Sequence, residues 1–328
     1  MKKALNKDKN LTRMLAVFVV CFVFFSITKG KSFLSVNSFQ SMGKLFPEYG
    51  LLSVGMALAL LTGGIDLSVV YTANLCSICT ALAITAMAGE GEVTGGLVLV
   101  GVLLALLIGL ACGCLNGFLV SVVGIPAMLA TLGTQSLFNG LSVVISGGST
   151  VKGIAPLSEF IGKRVLGIPV PAYIFVICAL IIGFVISKTT LGYKIKMLGT
   201  NPKACAFSGF NNVKLTIINY AMIGLLSAVS GIVMLGRYNS AKADNGASYT
   251  MQAIMIAVMG GIDPAGGKGN IQGVCVAVLI IQMVSTWLNM FQNISNFYRQ
   301  IIWGALLIII LIMNFYINKR EVAKAAKK

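Results

Sequence analysis

The chain has 328 residues, 57% of them hydrophobic and only 10% charged, with 25 Lys and Arg against nine Asp and Glu and a net charge of +16. A mean hydropathy of +0.91, with apolar runs of about 20 residues that match a bilayer's thickness, excludes a soluble globular protein. The basic excess does not mark a nucleic-acid partner, because the lysines fall in loops and tails beside the apolar runs rather than on one folded face.

Apolar runs bounded by polar or Gly/Pro signals predict an all-α polytopic membrane bundle, one transmembrane domain over 1–328 with about ten spans. They fall at 13–29, 45–61, 67–88, 96–122, 126–146, 168–187, 215–236, 250–262, 271–289 and 299–317, the second and eighth being short. Residues 1–12 form a basic tail, and the apolar run after it lacks a small-residue cleavage site, so it reads as an uncleaved first span. With both termini in the cytoplasm, 16 of the 25 basic residues lie inside, while Glu48, Glu90, Glu92, Glu159 and Asp244 lie outside. The C-terminal basic tail, 318–328, suits anionic membrane lipid.

Two interruptions share Gly-Gly-Ile-Asp: Gly63-Gly64-Ile65-Asp66, followed by Leu67 and Ser68, and Gly260-Gly261-Ile262-Asp263, followed by Pro264. In the ten-span count each follows a short span and precedes one running back, the pattern of a parallel internal repeat, and matched interruptions point to a transport pathway. Paired glycines end one helix, Asp caps the next, and Pro264 suits that helix's first position. Two readings of Asp66 and Asp263 stand: caps alone, or groups lining a path or gate.

Gly109, Gly113 and Gly117 form a small-residue face at G-x-x-x-G spacing, and Gly224, Ser227, Ala228 and Gly231 do the same in the seventh span. Asn116 is either glue between helices or a solute contact. Thr131, Thr134, Gln135 and Asn139 either face a wet cavity or satisfy one another. The Gly- and Pro-rich stretch 147–171 and residues 239–248 are predicted outer loops, candidate landing surfaces for an external partner. Seven of the eight cysteines lie in apolar runs, and the Cys76/Cys79 pair has no second pair and no histidine to complete a metal site. The lack of histidine also removes the usual proton shuttle and general base.

Between the sixth and seventh spans, 188–214 carries five lysines and no acid, which places it in the cytoplasm. Within it Asn201 to Gly209 reads as one short helix, with Asn201 as N-cap, Pro202 in the first position and Gly209 as the stop. Its small residues, Ala204 and Ser208 among them, suit a protein partner.

Taken together, Gly55 to Ser68, Leu115-Asn116-Gly117, Ile125-Pro126, Thr131 to Thr134, Thr190-Leu-Gly192, Gly199-Thr-Asn201, Ala204, Ser208-Gly209, Gly260-Gly261 and Gly266 to Gly269 resemble the permease subunits of ribose/xylose/galactose-type ABC importers. The resemblance covers about Leu51 to Asn314. It departs at Thr250-Met251, where relatives often have Glu-Leu, and at Tyr193, where a basic residue is common. It implies a transmembrane subunit, not an enzyme, moving a sugar or sugar-like solute inward across the bacterial inner membrane. It implies a cytoplasmic ATP-binding-cassette ATPase as partner, an extracytoplasmic solute-binding protein, and a second permease copy or paralogue in a dimer. The family's coupling helix falls on Asn201, Ala204, Ser208 and Gly209. Pathway or gate positions are expected at Gly63, Gly64, Asp66, Ser68, Asn116, Thr131, Thr134, Gly260, Gly261 and Asp263. No G-x-x-x-x-G-K-[ST] occurs in the chain, so ATP and Mg are expected on the partner ATPase, with no cofactor or metal bound here. The same-family alternative carries a nucleoside or furanosyl signalling molecule; an ion-coupled secondary transporter is the alternative from another class.

Overall fold

A computed structural model describes residues 9–89 and 91–291, with isolated helical positions at 301, 302, 304, 305, 308 and 312. The tenth predicted span and the basic tail 318–328 therefore lie outside the continuously described residues. Twelve helices are described: α1 (Lys9–Phe33), α2 (Val36–Leu61), α3 (Val69–Ala88), α4 (Gly95–Ser121), α5 (Ala127–Ser146), α6 (Ala155–Gly162), α7 (Val170–Lys188), α8 (Thr190–Thr200), α9 (Pro202–Phe207), α10 (Asn212–Tyr238), α11 (Tyr249–Met259) and α12 (Ile271–Asn289). Among the described residues, eight are long and apolar enough to cross a membrane: α1 to α5, α7, α10 and α12. The chain is a multi-pass membrane protein.

The second span is longer than the sequence suggests. Gly50, Pro47, Glu48 and Lys44 blur its start, yet α2 runs for 26 residues from a Ser35 cap whose side chain accepts from the Ser38 amide. Glu48, expected in an outer segment, lies within α2 and is fully buried. The eighth predicted span is α11, only 11 residues, about 16 Å at 1.5 Å per residue. It is too short for a hydrocarbon layer of about 30 Å.

α2 is the centre of the bundle, with every residue from Leu51 to Leu61 buried, and α7, α10, α11 and α12 pack around it. α4 and α10 pack backbone against backbone. A Cβ added at Gly109 or Gly113 would collide with the α10 backbone at Gly224 and Tyr220, and one at Gly117 would come within 2.7 Å of Ile217 Cα. Gly109, Gly113 and Gly117 with Gly224 and Ala228 therefore form the seam of this pair, where dispersion between backbones replaces a hydrophobic drive that lipid cannot supply, while Gly231 of the second small-residue face packs instead on Ala73 of α3. The outward faces hold exposed Leu99, Leu103, Leu107, Leu180 and Phe184, the composition a helix shows to lipid.

The stretch 147–171 is more ordered than a loop. It holds α6, whose Ser158 hydroxyl donates to the Gly236 carbonyl, and a two-residue hairpin of β2 (Arg164–Val165) and β3 (Ile168–Pro169). Leu166 and Gly167, at φ of 51° and 80°, form its turn, as such hairpins require. A second ribbon pairs β1 (Val151–Lys152) antiparallel with β4 (Ser240–Ala241). These ribbons cap the end of the bundle opposite α8 and α9.

Candidate functional site

The two Gly-Gly-Ile-Asp interruptions and the base of the lysine-rich segment meet at one point. Gly267 N donates to the carbonyl of Leu61, the last residue of α2, at 2.9 Å. A Cβ on Gly63 would lie 3.4 Å from Ala265 O, and one on Gly266 would lie 2.9 Å from Gly63 N. Gly199, near the end of α8, packs on both: an added Cβ would strike the Leu61 carbonyl and come within 2.6 Å of Gly267 N. Gly266 and Gly267 take φ of 93° and 79°, a conformation that side chains resist. Glycine is required here because three backbones touch with no room for a Cβ.

At the first interruption the Asp66 carboxylate accepts from the Ser68 amide at 2.9 Å and the Ser68 hydroxyl at 2.7 Å. Ser68 Oγ in turn accepts from Asn116 Nδ2 at 2.8 Å, which ties the turn to α4. Asp66 thus closes a turn ahead of α3 rather than capping the helix itself, which begins at Val69 after Ser68. Burial pushes the Asp66 carboxyl above the ordinary carboxylate range, and its contacts with Ser68 and Asn116 offset part of that rise. Thr131 donates to the Ile65 carbonyl at 2.9 Å, fastening α5 to the same turn, and Thr134 donates to Thr131 O within its own helix. Asn116 thus joins α4 to this turn through its Nδ2, and its Oδ1 is buried without a partner.

The second interruption departs from expectation. Asp263 accepts from the Ala265 amide at 3.0 Å, but no helix follows Pro264. Gly266, Gly267 and Gly269 all have positive φ, so the chain turns until Asn270 caps α12 by accepting from Gln272 N. Gly260 ends α11 and packs on Gly273 and Val274 of α12; Gly261 follows at φ of 90°.

The short helix is α9. Asn201 Oδ1 accepts from Ala204 N at 3.0 Å, Pro202 takes the first turn, and Gly209 reverses the chain at φ of 81°. Ala204 and Ser208 face outward, while Cys205 is buried against Leu198 and Leu215. Phe207 is 91% exposed, an aromatic side chain that the sequence reading did not single out.

Also overlooked is a buried polar cluster toward the opposite end, built on Glu48, Arg237 and Tyr249. Near it, Asn74 Nδ2 donates to the carbonyls of Ala243 (2.8 Å) and Asn245 (2.9 Å), holding the non-helical segment before α11 inside the bundle. Among the described residues no group of His, Cys, Asp or Glu is placed to hold a metal.

Residues 41–311 match the family model described as branched-chain amino acid transport system / permease component. The ribose import permease protein RbsC of Escherichia coli K12 is 31% identical over 325 residues, covering 98% of this chain and 96% of that protein. The autoinducer 2 import system permease protein LsrD of Yersinia enterocolitica is 30% identical over 270 residues, covering 80% of this chain and 79% of that protein. No solved structure gives a significant match. With a family model spanning most of its length and the ribose permease aligned nearly end to end, the chain belongs to this permease-component family.

Proposed function

We propose that the chain is the transmembrane permease subunit of an ATP-binding-cassette importer that moves a sugar or sugar-like solute into the cytoplasm. The observation that carries this reading is the α8–α9 hairpin: it presents Phe207 outward at one tip while Gly199 at its base touches both interruptions. A partner ATPase, holding ATP and Mg, pushes on α9, and the ends of α2 and α11 respond. The ribose and autoinducer 2 relatives support the solute class, with a furanosyl signalling molecule as the same-family variant.

The lysine-rich segment then faces the cytoplasm of a bacterial inner-membrane protein, with both termini on the same side. The ribbon end faces an extracytoplasmic solute-binding protein, and a second copy or paralogue completes a dimer. The matched interruptions support a parallel repeat over one domain of about ten spans.

Gly209→Val and Ala204→Asp test this. Gly209 needs positive φ, and Ala204 lies on the exposed face, so both alter the docking surface while leaving the spans intact. The expected result is lost uptake and lost ATPase co-purification with normal membrane insertion; normal uptake in both variants would sink the assignment.

A further inference from the structure

A cavity of about 280 Å³ lies between the start of α8, the start of α10 and Phe210 in the link that follows α9. Two lysines line it, Lys194 on α8 and Lys214 on α10, together with Thr190 and Asn211, and no acidic side chain does. Lys194 is half-buried, its ammonium 4.8 Å from the centre of the Phe210 ring. Asn211 Oδ1 accepts from the Lys214 amide at 2.9 Å, and the same side chain's Nδ2 has no partner among the described residues. The ion pairs among the described residues are Arg237 with Glu48 and Lys242 with Asp244, so neither cavity lysine has an acid to pair with. Two spans set the depth of the cavity. Thr190 comes just after Lys188, the last residue of α7, and Lys214 sits in the first turn of α10. Ile218, which also lines the cavity, lies about 9 Å along α10 from its first residue, Asn212. The cavity thus straddles the level at which two membrane helices leave the bilayer.

Two like charges on one small space repel until an anion comes between them. We propose that this cavity binds the headgroup of an anionic phospholipid, its phosphodiester between Lys194 and Lys214 and its first methylenes along Ile218. Thr190 and Asn211 supply neutral donors to the phosphate oxygens. A soluble phosphate would meet the same lysines, but it gains nothing from the apolar wall. A lipid phosphate is already held at this depth, and basic pockets between spans are where anionic headgroups gather. The proposal goes beyond the permease reading and needs from it only that the helices cross a bilayer. It gives the lysine-rich segment a second role: bound lipid ties α8 to the start of α10 without involving α9.

The test is calorimetric titration of the full chain in mild detergent with dioctanoyl phosphatidylglycerol, dioctanoyl phosphatidylcholine and inorganic phosphate. Wild type is expected to bind phosphatidylglycerol about tenfold or more tightly than either of the others. Lys194→Gln combined with Lys214→Gln should weaken that binding about thirtyfold, with the lipid-free melting temperature unchanged. Lys214→Gln alone, at an exposed position, should weaken it about fivefold, and it carries the test if the double variant does not fold. Lys188→Gln combined with Lys203→Gln removes the same charge from the same segment outside the cavity, and should cost less than about threefold. Equal losses in the two double variants would reveal diffuse attraction and overturn the site. Inorganic phosphate binding as tightly as phosphatidylglycerol would overturn the lipid assignment. Unchanged lipid binding without Lys194 and Lys214 would overturn it too, and lost ATPase co-purification in that variant would then assign the two lysines to the protein partner.

Discussion

Arg237 on α10 donates two hydrogen bonds to the carboxylate of Glu48 on α2, Nη2 to Oε2 at 2.9 Å and Nε to Oε1. The Tyr249 hydroxyl adds a third at 3.2 Å, and Ser230 Oγ donates to the Glu48 carbonyl at 2.9 Å. Three helices are thus pinned on one carboxylate that water does not reach. Breaking a buried pair from one side leaves a charge uncompensated. Glu48→Gln should therefore lower stability by roughly 3 kcal/mol, whereas Glu48→Leu with Arg237→Met should recover most of it. Thermal unfolding in detergent over the double-mutant cycle checks this, and an additive cycle counts against the pair.

The α4–α10 seam predicts a sharp contrast between glycines. Gly113→Val places methyls where the Tyr220 backbone lies and should prevent folded protein from accumulating. Gly140, in α5, has nothing within 4 Å of its added Cβ, so Gly140→Ala should be neutral or stabilising by up to about 1 kcal/mol. Size-exclusion profiles of the two variants separate these outcomes.

At the first turn, Asp66→Asn keeps an oxygen that accepts from the Ser68 amide, and should change stability by less than about 1 kcal/mol. Asp66→Ala strands the Ser68 amide and hydroxyl and should lose about 1–3 kcal/mol. A folded Asn variant with no transport would show instead that the negative charge itself is needed.

Gly199→Ala leaves α9 untouched but inserts a methyl between α8, the end of α2 at Leu61 and the glycine turn at Gly267. The expected outcome is an ATPase that still co-purifies and still hydrolyses, with uptake lost. Phe207→Ala should do the reverse, weakening ATPase association about tenfold or more, as loss of an exposed aromatic anchor does. Pull-down and uptake measured on the same preparations distinguish the two.

The spans were legible because lipid imposes length and composition on them, and α9 because Asn, Pro and Gly each have one favoured place at a short helix's ends. Gly109, Gly113 and Gly117 were legible by spacing alone. Pairing across the fold was not. Glu48 and Arg237 stand 189 positions apart, and nothing local distinguishes a buried, bonded carboxylate from a loop acid. Asp263 misled because the rule for capping looks one residue ahead, while the three positive-φ glycines beyond it decide that no helix starts.

Asn74 commits both amide hydrogens to the carbonyls of Ala243 and Asn245, and the chain from Lys242 to Tyr249 otherwise proceeds through turn hydrogen bonds. That segment has neither a helix's continuous ladder nor α2's enclosure, so its local unfolding free energy is set by a handful of bonds rather than by the whole bundle. Because α11 is short, opening this length of chain costs fewer hydrogen bonds than opening any full-length span. Amide exchange should register this as fast exchange over 242–248 beside near-complete protection in α2.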